Sequence, residues 1–176
     1  MRLIGFCGYA RSGKDTAALA LIERGWRRDA FADALKRDAA SALMNSLSMG
    51  GGSADDFPWG TMFTDPALKE IFRPFLVEYG RAMRHIRSDY WVTRLFRGLD
   101  PRESHVVTDV RYMNEVEAIR QRGGKVIMVT RPGVGPCNEE ERLSFLHVKP
   151  DCVIMNGGSL EDLHAAVVTK VTEWEK

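Results

Sequence analysis

An apolar run, Leu3-Ile4-Gly5-Phe6-Cys7, breaks directly into Gly8-Tyr9-Ala10-Arg11-Ser12-Gly13-Lys14-Asp15-Thr16. A helical pattern carrying Ala17, Ala18, Leu21 and Ile22 follows. Strand, glycine-rich loop and helix in this order are what a phosphate-binding loop requires. The glycines let backbone N–H groups turn toward a polyphosphate, and the helix N-terminus adds partial positive charge. Lys14 would reach the outer phosphates as a mobile point charge. Gly8, Arg11, Ser12, Gly13, Lys14, Asp15 and Thr16 are therefore the candidate donor-binding residues. Asp15 stands where Ser or Thr normally follows the lysine, with Thr16 one place later, so the usual Mg²⁺-binding hydroxyl is not assumed. The alternative, a glycine turn ahead of an ordinary helix, is disfavoured by the strand before it and the helix after it.

The 176 residues suffice for one α/β domain with inserted pieces. A formal net charge of +1 gives no global basic field of the kind that draws nucleic acid. The basic residues are skewed, with 18 arginines to 7 lysines, and arginine forks phosphates in a way lysine does not. Codon bias explains the exposed ones equally well. Cys7, Cys137 and Cys152 have no metal-type spacing; Cys7 and Cys152 lie in apolar runs and read as small buried residues. Neither a signal peptide nor a membrane-length apolar run is evident, and a reducing cytoplasm is the expected location.

The first helix is expected from Lys14 to about Glu23, stopping at Gly25, with a short strand over Trp26 to Phe31. Leu35, Ala39, Leu43 and Leu47 mark a helix that Met49-Gly50-Gly51-Gly52-Ser53 breaks, ahead of a mobile loop through Trp59 and Gly60. Asp65-Pro66 starts another helix, which Pro74 should kink or divide, and Ser88-Asp89 starts the next. Residues 33–98 thus read as a helical insertion. Strands are expected at His105–Asp109, Lys125–Val129 and Cys152–Met155, with a short helix near Glu139 to Leu146 and a last one capped by Ser159 and Asp162. Strands alternating with helices predict a doubly wound, five-stranded parallel sheet in a three-layer fold, with ligands at the carboxyl ends of its strands. The guanine-reading motif of GTPases is absent. The long insertion and the polar segment 131–150 argue for a small-molecule kinase, with the insertion holding the phosphate acceptor and the second segment acting as a lid.

Phe31-Ala32-Asp33-Ala34-Leu35-Lys36, the stretch from Arg73 through Gly80 to Arg84, and Ser88-Asp89-Tyr90-Trp91-Val92 resemble the phage-type deoxynucleoside monophosphate kinases. So do Thr108-Asp109-Val110-Arg111-Tyr112-Met113-Asn114-Glu115, Gly123-Gly124-Lys125-Val126-Ile127, Arg131-Pro132-Gly133 and Asp151-Cys152-Val153-Ile154-Met155-Asn156-Gly157. The Gly-Lys-Asp-Thr form of the loop fits that family too. Two places depart from it: Asn138-Glu139-Glu140-Glu141-Arg142 replaces a His/Ser-Glu pair of the lid, and Gly80-Arg81 replaces Gly-Thr.

The resemblance implies a P-loop kinase fold over residues 1–176, with core 1–32 and 99–176, acceptor insertion 33–98 and lid 131–150. It implies ATP-dependent phosphorylation of deoxynucleoside 5′-monophosphates to diphosphates, with Mg²⁺. Its partners would be small-molecule nucleotides, with no nucleic acid and no membrane; a homodimer is allowed, as is a host-cell cytoplasm if a phage encodes the chain. Phosphoryl transfer asks the protein to align the reactants and neutralise spreading charge. Lys14, Asp109, Arg111 and Arg131 are the expected catalytic residues, Arg131 also touching the donor. Asp109, and after it Asp15, would hold Mg²⁺, directly or through water. Asp33, Lys36, Arg73, Arg84 and Arg111 would meet the acceptor. The alternatives are a helix cap for Asp109, a salt bridge to Glu115 or Glu117 for Arg111, and a capping Asp33 beside a solvated Lys36; Trp91 and Phe75 read as core. Rival functions are a phosphomevalonate or dephospho-coenzyme A kinase, a non-catalytic ATP-binding module and a slow ATPase.

Overall fold

The computed structural model describes residues 1–49 and 65–176. In chain order the elements are β1 (Arg2–Cys7), α1 (Lys14–Ile22), β2 (Arg27–Asp29), α2 (Phe31–Met49), α3 (Pro66–Ile86) and α4 (Tyr90–Arg97). They continue as β3 (Ser104–Val110), α5 (Met113–Gln121), β4 (Lys125–Thr130), α6 (Glu139–Phe145), β5 (Cys152–Met155) and α7 (Leu160–Trp174). The expected break after Met49 and the loop through Trp59 and Gly60 lie outside the described residues. By its internal contacts the chain forms two compact units, Met1–Ala30 with Phe96–Lys176, and Phe31–Leu95.

In the first unit five strands form one sheet in the order β2-β3-β1-β4-β5, every pairing parallel. This is the predicted doubly wound, five-stranded parallel sheet with helices on its two faces. β1 sits in the middle and is buried from Leu3 to Cys7, which is why its sequence is an unbroken apolar run. Ile4 and Phe6 face the layer of α1 and α7, packing with Ala17, Leu21, Leu163, Val167 and Val171. Gly5 faces α5 instead, and a Cβ there would come within 2.7 Å of Ile119 Cδ1. α1 and α7 therefore cover one face of β1 and α5 the other. β2 is shorter than its sequence predicts, because an edge strand reading Arg27-Arg28-Asp29 has little to bury, and Phe31 already opens α2. β5, the other edge, leaves Val153 and Met155 exposed and Cys152 only half-buried, where the sequence suggested a buried cysteine.

Pro74 does not divide α3, which runs as one helix of 21 residues. Proline frees the carbonyl four residues back, here on Glu70, and both residues are exposed, so water can take up that bond. The Asp65-Pro66 start holds: the Asp65 carboxylate accepts from the amides of Ala67 and Leu68 at 2.9 and 3.0 Å. The second unit has a core of Ala39 with Leu43, Phe72, Phe75, Leu76 and Tyr79. Trp91 is buried and its indole N–H donates to the Gly80 carbonyl at 3.1 Å, so Trp91 and Phe75 are core residues as expected.

Tight backbone packing between α5 and the sheet gives a direct test. A Cβ on Gly124 would stand 2.7 Å from the Leu3 carbonyl oxygen and 2.7 Å from Ile119 Cγ2. Gly124→Ala is expected to cost about 1–3 kcal/mol as an overpacking change, measured as a lower denaturation midpoint; an unchanged midpoint would contradict this packing.

Candidate functional site

β1 delivers the chain into a loop that only particular residues can follow. Gly8 has φ 143°, and a Cβ there would lie 2.3 Å from the Val129 carbonyl oxygen and 2.7 Å from Ser12 Oγ. Gly13 has φ 95°, and a Cβ there would strike Asn156 Nδ2 at 2.2 Å. Arg11 adopts φ 67° without being glycine, a conformation that costs of order 1 kcal/mol or more and concentrates at functional sites. The loop closes through Ser12 N–H donating to the Tyr9 carbonyl at 3.1 Å, and Lys14 Nζ leans on the same carbonyl at 3.5 Å.

Helix α1 begins with Gly13 as N-cap and no side chain bonded to its first amides. By contrast α6 is capped by Asn138, α7 by Ser159, and the Glu115 carboxylate accepts from the Arg111 and Tyr112 amides ahead of α5. Uncapped amides at a helix start are a ready anion site. Ser12 Oγ is buried inside the same loop without a hydrogen-bond partner, and so is Thr108 Oγ1 on β3.

The loop has two supports the sequence did not flag. Asn156, just past β5, donates Nδ2 to the Ser12 carbonyl at 3.0 Å, and its own amide donates to the Thr130 carbonyl at 2.7 Å. From α6, Glu141 accepts from the Ala10 amide at 2.8 Å, while Phe145 meets Tyr9 edge to face at 5.4 Å. Both contacts join residues more than a hundred positions apart, so local spacing carries no signal of them.

Two sets of arginines differ in how they are held. Arg73, Arg81, Arg87, Arg102 and Arg142 each bind a carboxylate within three residues, and Arg94 and Arg120 pair with Asp38 and Asp151. Arg11, Arg111 and Arg131 have no hydrogen-bond or ion-pair partner for their guanidinium among the described residues. These three follow the carboxyl ends of β1, β3 and β4, the three central neighbours of the sheet. Arg111 thus makes no salt bridge to Glu115 or Glu117; its charge acts on Glu141.

Asp109 is half-buried near the carboxyl end of β3. Between Gly5 and Cys7 of β1 the register advances two residues, while β3 advances three, from Val107 to Val110. The extra residue is a bulge at Thr108-Asp109, a device that re-aims side chains next to active sites. α5 takes Tyr112 as its N-cap, so Asp109 is not the helix cap. Asp15 is exposed in the first turn of α1, and Thr16 lies beside it with its carbonyl accepting from His164 Nε2 at 3.0 Å.

The comparisons bear on this arrangement. The sequence profile of the family described as deoxynucleotide monophosphate kinase matches residues 82–167. A protein of Acanthamoeba polyphaga mimivirus, provisionally described as a deoxynucleotide monophosphate kinase, is 27% identical over 97% of this chain and 96% of its own length. Among solved structures, a Thermus thermophilus protein is 22% identical with TM-score 0.45, covering 97% of this chain and 96% of its own. The dephospho-CoA kinase of Campylobacter jejuni is 15% identical with TM-score 0.49, covering 98% and 97%. The resemblance read from the sequence holds. The chain is similar to deoxynucleotide monophosphate kinases.

Within the second unit, the remaining candidates are already engaged. Arg73 is exposed and forked onto Glu70, with contacts of 2.5 to 3.1 Å. Lys36 lies 3.7 Å from Asp33, one helical turn apart. Arg84 is half-buried, and a Cβ on Gly80 would stand 3.6 Å from its Nη1. The polar organiser of this unit is Asp38, which accepts from Tyr79 and Tyr90 hydroxyls at 3.1 and 2.8 Å and from Arg94 at 2.5 Å. No group of three or more His, Cys, Asp or Glu residues suited to a metal occurs among the described residues.

Cys7 ends β1 directly ahead of the loop. Burial pushes its thiol up to about 12 from an ordinary 9.0, against the pull of Lys14's positive charge. The unfolded chain then loses its proton first, so this contribution to stability is complete below pH 9 and declines as pH rises toward 12. Chemical denaturation of wild type and Cys7→Ala across pH 8 to 11 should show a shallower alkaline loss in the variant; equal slopes would contradict the burial of the thiol.

Proposed function

We propose that this chain is a kinase that transfers the γ-phosphoryl group of ATP to deoxynucleoside 5′-monophosphates, yielding diphosphates. The observation that carries the proposal is the set of uncommitted cations, Arg11, Arg111 and Arg131, at the carboxyl ends of β1, β3 and β4 beside the uncapped start of α1. A protein holding most other arginines on nearby carboxylates keeps these for an anionic ligand. The family likeness supplies the substrate class, and the lid role of residues 131–150 is part of the same reading. ATP and monophosphates meet in the cytoplasm, the compartment this activity implies.

In this reading the amides of the loop and Lys14 hold the β- and γ-phosphates of ATP. Lys14 gives up its weak contact with the Tyr9 carbonyl to do so. The γ-phosphoryl passes through a loose transition state with its charge spread over three oxygens, so catalysis is positioning and electrostatics. Arg111 and Arg131, which follow the two strands flanking β1, would serve that charge, Arg111 toward the transferring group and Arg131 on the donor side. Asp109 and Asp15 offer carboxylate oxygens, a donor set that fits a hard cation keeping most of its waters. Mg²⁺ bound there would neutralise charge on the β- and γ-phosphates. The Phe31–Leu95 unit contributes the acceptor residues, Arg84 foremost, with Arg73, Asp33 and Lys36.

The deciding experiment is a coupled assay with ATP and each deoxynucleoside monophosphate, with phosphomevalonate and dephospho-coenzyme A as competing acceptors. Turnover with at least one deoxynucleoside monophosphate, well above hydrolysis without acceptor, is expected. Turnover that is the same with and without acceptor would leave an ATPase. Lys14→Met should lower transfer by about two orders of magnitude or more, with ligand-free thermal stability unchanged. Full activity in that variant removes the phosphate role of the loop.

A second pair of variants tests the acceptor. Arg84→Ala should weaken monophosphate binding about ten- to a hundredfold, the loss of one or two charge-assisted bonds, and leave ATP binding intact. Arg73→Ala should do less, because Arg73 must first leave the Glu70 fork. Calorimetric titration with ATP and with each monophosphate separates the two ligands, and unchanged monophosphate affinity in both variants would sink the acceptor assignment.

A further inference from the structure

We infer that Glu141 is a positioning residue of the donor site, bracing the phosphate-binding loop from outside through the Tyr9–Ala10 peptide. The inference rests on the reading of that loop as the ATP phosphate site. Glu141 Oε1 accepts from the Ala10 amide at 2.8 Å and Oε2 accepts from the Cys137 amide at 2.8 Å. Both oxygens of one carboxylate thus hold backbone donors, one on the loop and one ahead of the lid helix.

The direction of the contact decides its role. A peptide unit is planar and, in this chain, trans throughout the described residues, so its N–H and C=O point opposite ways. The Tyr9 carbonyl faces the loop interior, where it accepts from Ser12 N–H and from Lys14 Nζ. The Ala10 N–H of the same peptide is therefore directed out of the loop, and Glu141 meets it there. The carboxylate does not stand where a phosphate would; it fixes the peptide whose other end aligns Ser12 and Lys14.

Glu141 is equipped to remain an anion in that place. Burial pushes its carboxyl up, but the hydrogen bonds from the Cys137 and Ala10 amides, with the Arg111 charge behind them, hold it below the usual range. The Tyr9–Phe145 ring contact seats the same helix on the same peptide. The loop needs such a brace because Arg11 sits at φ 67°, a strained conformation for arginine, next to the peptide Glu141 holds.

The test reads the brace with and without nucleotide. In the ligand-free protein, hydrogen exchange at the Ala10 amide should speed at least about tenfold in Glu141→Ala, the loss of one charge-assisted bond. It should move less in Glu141→Gln, whose carbonyl oxygen can still accept. ATP affinity should fall about tenfold in Glu141→Ala and less in Glu141→Gln, with KM for ATP rising more than kcat falls. Monophosphate affinity should not change in either variant. Unchanged Ala10 exchange overturns the brace, and faster exchange with unaltered ATP affinity overturns its role in the donor site. If wild type binds no ATP, the proposed function fails instead, and the exchange measurement alone decides whether Glu141 holds the loop.

Discussion

Where β1 can go after Cys7 governs everything downstream. The strand lies between β3 and β4, buried on both faces, so the chain has to leave it at the carboxyl end and start a helix that packs back on the same sheet. Gly8 passes so close to the Val129 carbonyl that a side chain there is sterically excluded. The resulting turn brings α1 to its first residue with no side chain spare to cap it. The helix start is left with N–H groups that no N-cap side chain satisfies, the setting that water or an anion can occupy. Asn156 and Glu141 then hold the loop by the Ser12 carbonyl and the Ala10 amide.

Much of this architecture was legible because it is local. The apolar runs of β1, β3 and β4 announce strands buried on both faces, and the glycine loop announces its own geometry. Asp65-Pro66 and Ser159 with Asp162 mark helix starts by side-chain chemistry within four residues, and each caps as read. The family likeness, carried by motifs spread from Phe31 to Gly157, was legible for a different reason: order along the chain survives where local physics is silent. What the sequence concealed depends on distant partners. The bulge at Thr108-Asp109 exists only in the pairing of β3 with β1, so no property of either strand alone betrays it. Pro74 reads as a helix breaker, yet its freed carbonyl opens to water on an exposed face and α3 continues. Glu141 was hidden inside an acidic run that looks like a solvated surface, and only the fold turns one of its members onto Ala10.

The second unit shows how a carboxylate buried against aromatic rings can serve as a structural hub. Asp38 gathers Tyr79, Tyr90 and Arg94 from two other helices, and its side chain is only 14% exposed. Burial first, then the hydrogen bond to Asp38, pushes the Tyr79 hydroxyl up to about 12. The same hydrogen bond is the main cause raising Tyr90. Both phenols therefore remain protonated donors through neutral pH, and the carboxylate keeps its partners. A hub with two neutral donors and one cation links the three helices through one carboxylate.

That division of labour bears on which arginines can act on a ligand. Removing a guanidinium from an exposed i,i+3 pair costs little, since such pairs contribute a few tenths to about 1 kcal/mol. Arg73 is thus releasable from Glu70, although each release subtracts from what a phosphate contact returns. Arg11, Arg111 and Arg131 carry no such competing partner among the described residues. With a net charge of only +1 for the whole chain, attraction of an anion cannot come from a general basic field. In the proposed site it would come from placement: cations without a partner among the described residues at three adjacent strand ends, amides without a side-chain cap at one helix start, and Glu141 on the outer side of the loop. The sheet order β3-β1-β4 makes the strand-end placement possible, because only neighbouring parallel strands bring their carboxyl ends to one edge.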